Sequence, residues 1–272
     1  MKNLVTTCLL ILAATGVVFP AGERTAAGGR AAAMGGTSVA NSDLWSLFNN
    51  PAGLAWLEHP LAGACFENHF LARQLMYEFL GGVLPFKGGV IGLLGSRYGN
   101  EQYNEFKAGI CYAKKFGKHF SAGTQINYTR IHLTDNYGNK NIVSCEIGLL
   151  FQATRQITIG VQLVNPVPVK ITMHPAEHLP ATICTGLLCR FSNSFHMTVE
   201  AEKDTEHPVS LRAGAEYLVA RPAKVRVGIS TSPMSFTFGF GIETGRLTID
   251  ISSGYHQALG FSPAGSLSYS FR

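Results

Sequence analysis

Charged side chains are scarce: Asp, Glu, Lys and Arg supply 14 % of the 272 residues, and the net charge is +5. No Lys/Arg cluster interleaves with aromatics, which excludes the electrostatic footprint of a nucleic-acid-binding protein. Beyond Pro20 no apolar run reaches the roughly 20 residues that a bilayer-spanning helix requires. A GxSxG elbow, a phosphate loop and a CxxC pair are all missing, so the chain is expected not to be an enzyme. After Cys8 the cysteines are Cys65, Cys111, Cys145, Cys184 and Cys189. That odd, scattered set excludes a disulfide framework, and each reads as a small apolar strand residue. His174 and His178 flank Pro175 and Glu177. Pro175 and Pro180 oppose the helix that their spacing would need, no third ligand stands nearby, and neither metal nor cofactor is expected.

The chain starts with Lys2, an apolar stretch from Leu4 to Phe19, then Pro20, Ala21 and Gly22. This is the pattern of a secretory signal, expected over residues 1–21 with cleavage near Ala21. Cys8 lies within its apolar run and is poorly placed for lipid attachment.

What the remainder does have is a period of two. Met234, Phe236, Phe238, Phe240 and Ile242 alternate with Ser235, Thr237, Gly239, Gly241 and Glu243. Such alternation puts one kind of side chain on each face of a β-strand. Runs of roughly ten residues, separated by turns, mark a membrane β-barrel. From about Pro60 onward the pattern predicts roughly fourteen strands. The first three, near 60–69, 74–85 and 89–97, alternate poorly. Clearer ones run through Phe106–Tyr112, Phe120–Tyr128, Val143–Phe151, Ile157–Leu163 and on to Leu267–Phe271. Tight connections such as Pro85–Gly88 and Lys115–Lys118 interleave with others, several of them longer, such as Asn165–Leu179, as short periplasmic turns and long outer loops do. An even strand number returns both mature termini to the periplasm. A soluble sandwich or propeller also alternates. Against it stand the export signal, the Phe and Tyr on strand after strand, and an opposite face of Gly, Ser, Thr and scattered charge in place of a second hydrophobic layer. The expected fold is therefore all-β: a transmembrane antiparallel β-barrel of about fourteen strands with an N-terminal lumenal plug segment, inserted in outer-membrane lipid.

If the greasy parity meets lipid, the other lines the lumen. Glu105, Lys107, Glu146, Glu200, Glu202, Arg212, Glu216, Lys224, Arg226, Glu243, Arg246 and Asp250 all fall on the polar parity. An Arg or Lys facing mid-bilayer lipid costs about 2–4 kcal/mol, so a dozen misplaced charges would exceed the ~5–15 kcal/mol stability of a whole domain. They read as a paired-ion network fixing register, or as a polar pathway. A barrel of this size holds more space than side chains alone fill, so something must close it.

The segment 22–57 has the composition for that task. It carries Arg30, Met34, Gly35 and Gly36, then Val39, Ala40, Asn41 and Asp43, then Asn49, Asn50, Pro51, Ala52, Gly53, Leu54 and Ala55. Gly and Ala let backbone pack closely, Pro51 fixes a turn, and the two Asn can satisfy stray backbone groups. These residues resemble the N-terminal motif of the fatty-acid-transporter-like (FadL-like) outer-membrane superfamily, and more closely its PorV/PorQ-type branch. Leu179 and Pro180 with Gly186 and Arg190, the RAGAEY string Arg212–Tyr217 followed by Val225–Gly228, and the closing Ser266–Phe271 are similar to later strands of that branch. The resemblance implies a fourteen-strand barrel, residues 58–272, with 22–57 folded inside as a hatch. It implies a role in envelope transport or type IX protein secretion, with secretion-system proteins as partners. In the fatty-acid-transporter relatives the implied role is gated uptake of small hydrophobic compounds such as long-chain fatty acids. A structural or partner-binding barrel is the third reading. An apolar pocket beside Trp45, Phe48 and Trp56 would favour uptake; a polar, fully packed lumen would favour the others. Leu267, Tyr269 and Phe271 also resemble the terminal strand that the outer-membrane insertion machinery recognises.

Overall fold

The computed structural model describes residues 25–133, 138–167 and 179–271. The potential metal pair His174 and His178 and the signal over residues 1–21 lie outside the described residues. Fourteen strands follow in chain order: β1 (Leu61–Asn68), β2 (Met76–Phe86), β3 (Gly89–Gly99), β4 (Tyr103–Phe116), β5 (Phe120–Leu133), β6 (Gly138–Gln152), β7 (Ile157–Val164), β8 (Thr182–Arg190), β9 (Phe195–Asp204), β10 (Ser210–Ala220), β11 (Ala223–Thr231), β12 (Met234–Thr244), β13 (Leu247–His256) and β14 (Gly260–Ser270). Each pairs antiparallel with its neighbours in sequence, and β14 pairs with β1 to close the barrel. Closure leaves no strand edge, the condition under which a sheet can sit in lipid with every ladder bond made.

The alternation decides which way each strand faces. On β12 the row from Met234 to Ile242 points outward and exposed, while Gly239 and Gly241 are buried. Outward apolar residues recur on every strand, with Leu80 and Ile251 65 % exposed or nearly so. Aromatics gather near one rim, where Phe86 meets Tyr112, Phe116 meets Phe120, Phe191 meets Phe195, and Tyr269 meets Phe271. This is the interfacial girdle expected of a membrane barrel. At that rim, the turn side, the six connections between paired strands are two to four residues long. The chain also enters and leaves there: Leu61 is opposite Ser270, and Phe271 N donates to Pro60 O at 2.9 Å. The opposite rim is the loop side.

The inner face is not uniformly polar, which corrects the reading of a lumen without a second hydrophobic layer. On β1–β4 the inward residues Cys65, Phe79, Val83, Val90, Leu94 and Cys111 are buried and apolar. The same strands put Phe66, Leu80, Leu84, Ile91 and Leu93 outward. Both faces are greasy, and this is why β1–β3 alternate so weakly in sequence.

The apolar wall needs a partner, and residues 25–57 supply it from inside. None of them is exposed. Helix α1 (Gly29–Ala33) lies against β11–β14, and a 3-10 helix (Pro51–Trp56) lies against β3–β6. Between them helix α2 (Ser46–Asn49) brings Leu47 and Phe48 into the apolar cluster with Leu44, Trp45 and Leu54.

Candidate functional site: a filled lumen with two chambers

Pairs of inward glycines in the wall seat the inner segment. Gly123 and Gly148 face each other across β5 and β6, Gly160 and Gly186 across β7 and β8, and Gly214 and Gly228 across β10 and β11. A Cβ on Gly123 would come within 2.6 Å of Pro51 C and 2.7 Å of Ala52 N. A Cβ on Gly214 would come within 2.5 Å of Met34 Cβ and 2.6 Å of Met34 O. A Cβ on Gly160 would strike the Val39 carbonyl, and one on Gly186 would come within 2.5 Å of Val39 Cγ1. At the Gly123, Gly160 and Gly214 seats the wall meets backbone of the inner segment, and only a missing side chain permits that approach.

The N-terminal motif residues are the fastenings. Asn49 exchanges a pair of 2.9 Å bonds with the Ala27 backbone, Oδ1 accepting from N and Nδ2 donating to O. Asn50 Nδ2 donates to Val39 O at 2.7 Å and to Leu149 O of β6 at 3.2 Å, while its Oδ1 accepts from Ala52 N at 3.1 Å. Pro51 opens the 3-10 helix, where a missing N–H costs nothing. Gly53 leaves room for Ser46 Oγ and Asn41 O. Gly35 and Gly36 adopt φ of +72° and +83°, the left-handed conformation glycine tolerates. Gly35 N then donates to Thr237 Oγ1 at 2.8 Å, and Thr237 Oγ1 donates to Ala33 O at 2.8 Å.

Most of the lumenal charges fall into three groups. Glu146, 2 % exposed, accepts from Lys107 Nζ, Asn127 Nδ2 and Gln162 Nε2, each at 2.8 Å. Glu200, 1 % exposed, accepts from the backbone N–H of Ser38 at 2.7 Å and of Val39 at 2.9 Å. Arg212 lies 3.7 Å from Glu200 and forks onto Glu202 at 3.0 and 2.8 Å. The third group surrounds Glu216, which accepts from Arg30 at 3.0 and 3.2 Å and from Arg226 Nε at 2.6 Å. Arg226 Nη1 also reaches Asp250 at 2.6 Å. Arg30 lies 3.5 Å from Asp43. Burial lowers the Arg30 pKa, but Glu216 and Asp43 outweigh it and the net shift is upward. Burial raises the Asp43 carboxyl above its ordinary value despite Arg30 beside it.

Four of the sequence-identified charges sit nearer the rims. Glu105, on the loop side, accepts a hydrogen bond from Tyr103 OH. Lys224 pairs with Glu243 at 2.7 Å near the turn side. Arg246 stands in the β12–β13 turn, exposed, and joins the lining of the turn-side chamber. Leu267 and Tyr269 face outward on β14, and Phe271 follows its end. Cys184, Glu200 and Glu202 bring potential ligand atoms within 4.8 Å of one another. Their donors are already supplied by Arg212, the Ser38 and Val39 amides and the Cys184 thiol, which fits a hydrogen-bonded ion network better than a metal centre.

Among the described residues, two chambers flank the inner segment, beside a third cavity of about 400 Å³ at the turn-side rim lined by Leu218, Arg221, Pro222 and Lys224. One, on the loop side and about 90 Å³, is bounded by Phe48, Tyr77, Phe79, Tyr98, Ile131 and Leu179 on one part of its wall and by Glu105, Lys107 and Glu146 on another. Phe48 stacks edge-on to Phe79 at 5.1 Å, and Tyr77 lies against Tyr98 at 4.2 Å. The other, on the turn side and about 560 Å³, is lined by Trp45, Trp56 and Leu188 together with Arg30, Arg190 and Glu216. The sequence flagged Trp45, Phe48 and Trp56 together, but Phe48 opens to one chamber and the two Trp to the other. The glycine seats and the apolar lining were not singled out as functional, although glycine recurring at inward parity was a readable signal.

No family model and no curated protein matches this sequence. Solved structures do share its fold. The CymD monoaromatic hydrocarbon channel superposes with a TM-score of 0.73 at 14 % identity, covering 93 % of this chain and 99 % of that one. The Pseudomonas putida toluene transporter TodX gives 0.69 at 12 % identity, with 92 % and 100 % covered. A Pseudomonas aeruginosa FadL homologue gives 0.65 at 14 % identity, with 92 % and 98 % covered. These likenesses establish the architecture of FadL-like outer-membrane channels and lend no support to the PorV/PorQ branch in particular.

Proposed function

We propose that this chain is a non-enzymatic, gated channel of the bacterial outer membrane that admits small hydrophobic compounds. In this reading residues 1–21 are a cleaved signal, 22–57 the plug and 58–272 the barrel. The loop side faces outward and both mature termini face the periplasm. The carrying observation is the cluster of aromatic and aliphatic side chains, Tyr77, Phe79, Tyr98, Ile131 and Leu179, that forms one part of the loop-side chamber against Phe48, one of the plug's own residues, with Glu105, Lys107 and Glu146 on the rest of its wall. An apolar solute gains by leaving water there. The free space of about 90 Å³ is smaller than the roughly 300–1,000 Å³ of a drug-sized ligand pocket, so full entry requires the plug to give way. That the fold is shared with channels named for monoaromatic hydrocarbons and toluene supports this reading over protein secretion. Deleting the chain in its host, and restoring it from a plasmid, tests both. Uptake of labelled toluene and of a labelled fatty acid is followed beside secreted-protein levels. Uptake falls and secretion holds if the proposal is correct; lost secretion with normal uptake favours the PorV/PorQ-type role, and no change in either favours a structural barrel.

A further inference from the structure

The two rims of the barrel differ in charge. Among the described residues the six turns carry Lys87, Lys118, Arg155, Arg221 and Arg246 and not one Asp or Glu. Arg221 and Arg246 border cavities at the mouth of the lumen. The other three follow one another around the outside, in the β2–β3, β4–β5 and β6–β7 turns, and Lys114 joins them from β4. All four are exposed. The ion-paired lysines and arginines of the described residues are Lys107, Lys224, Arg30, Arg212 and Arg226, and these four are not among them. No carboxylate stands near in sequence either: residues 81–94, 109–126 and 147–161, the turn-side part of this arc, contain no Asp or Glu. On the same strands the loop-side rim mixes signs, with outward Arg97 opposite outward Glu78 and Glu101 in the loop that follows.

Each of the four cations adjoins the aromatic girdle. Lys87 follows Phe86, Lys114 points outward between Tyr112 and Phe116, Lys118 lies between Phe116 and Phe120, and Arg155 comes after Phe151. Lys115, on the opposite parity, turns inward with its Nζ 4.3 Å from the Trp56 ring centroid. The turns are fastened to the neighbouring strands: Tyr112 OH donates to Gly88 O at 2.7 Å, and Gln152 N donates to His119 O at 2.7 Å. Interfacial aromatics sit at the level of the lipid headgroups. Cations just beyond them, with their stems along the wall, reach the layer of lipid phosphates.

We propose that the turn-side outer face of β2–β7 is a docking surface for the headgroups of anionic phospholipids, with Lys87, Lys114, Lys118 and Arg155 as the phosphate-contacting residues. The proposal rests on the uptake reading only for orientation, which puts this face in the periplasmic leaflet; the lipid preference can be measured without it. An arc of cations free of carboxylates favours a headgroup of net negative charge over a zwitterionic one, whose own ammonium it repels.

The full mature chain is reconstituted in phosphatidylcholine bilayers. Electron spin resonance then reads how much spin-labelled phosphatidylglycerol or phosphatidylcholine, with the same acyl chains, the barrel immobilises. Wild type is compared with a quadruple variant (Lys87→Gln, Lys114→Gln, Lys118→Gln and Arg155→Gln) and with a loop-side control (Arg97→Gln and Arg130→Gln), each confirmed as a folded barrel on an unheated gel. A cation at an anionic lipid surface contributes about a fivefold factor, so wild type should favour phosphatidylglycerol by about fivefold or more at low salt, and by less at high salt. The quadruple variant should lose the preference and the control should keep it. No preference in wild type, which would leave the cations to an acidic partner protein, overturns the proposal. So does a preference that survives in the quadruple variant. Removal of the preference by millimolar inorganic phosphate at constant ionic strength also overturns it, by revealing a site for free anions. Labelling of Lys118 in intact cells by a membrane-impermeant amine reagent, beside an intact lipid preference, would instead overturn the orientation and leave the lipid surface standing.

Discussion

The glycine seats make the plug's docking sensitive to a single methyl group, and Gly123→Ala is the sharpest case. The added Cβ would lie 2.6 Å from Pro51 C, 2.7 Å from Ala52 N and 2.8 Å from Pro51 O. All three atoms are backbone, so no rotamer change relieves the overlap and the 3-10 helix must lift. Overpacking of this kind costs about 1–3 kcal/mol. Lifting also stretches Ser121 Oγ to Ala52 O (2.9 Å), Trp56 Nε1 to Ser121 Oγ (2.9 Å) and Asn50 Nδ2 to Leu149 O (3.2 Å). Losing the longest of these adds ~1 kcal/mol. A total of about 2–4 kcal/mol raises the undocked population by roughly 30- to 700-fold, at tenfold per 1.4 kcal/mol. Two assays read it: conductance in planar bilayers, and trypsin cleavage at Arg30 in detergent micelles. Gly95→Ala is the control, because the nearest atom its added Cβ would meet is Lys107 O at 3.9 Å. Raised conductance and faster cleavage in Gly123→Ala, with Gly95→Ala like wild type, is the expected outcome. If the two variants behave alike while both barrels remain folded on an unheated gel, the seating argument fails.

Further outcomes follow from the fastenings. Glu216→Ala leaves Arg226 buried with only Asp250 and strips Arg30 of its main partner, so it should lower barrel stability by about 3–5 kcal/mol in urea titration. Asn49→Ala removes both Ala27 bonds, ~2 kcal/mol in all, and should speed hydrogen exchange at Ala27 while leaving strand amides protected. Asp43 has its carboxyl pKa raised in the fold, so the stability tied to its neutral form is complete below the ordinary Asp value near 3.9 and is lost as pH rises through the folded value. Asp43→Asn should therefore raise Tm relative to wild type at pH 7, and that gain should shrink toward pH 4; a gain independent of pH would contradict it.

The barrel was legible because lipid and lumen demand opposite chemistry, and β12 shows it plainly with Phe236, Phe238 and Phe240 out and Gly239 and Gly241 in. Legibility failed where that contrast disappears. Val90 and Leu94 face inward beside outward Ile91 and Leu93, since the plug offers Leu47 an apolar wall to pack on. The charges on β9–β11 could be assigned to the lumen by parity, yet parity says nothing of depth, and Arg246 fell into a turn. The NPAGLA string could be recognised as a motif, whereas its role as a clamp depends on Gly123 and Gly148, far along the chain in β5 and β6.

The claim on which the rest depends is that the plug must leave its seats for solute to pass. Thr37 Oγ1 and Thr198 Oγ1 are 2.6 Å apart, one on the inner segment and one on β9. In a background lacking Cys65, Cys111, Cys145, Cys184 and Cys189, Thr37→Cys with Thr198→Cys can be oxidised to tether the segment to the wall. Toluene uptake should stop on oxidation and return on reduction. Undiminished uptake through a fully cross-linked barrel would contradict the account.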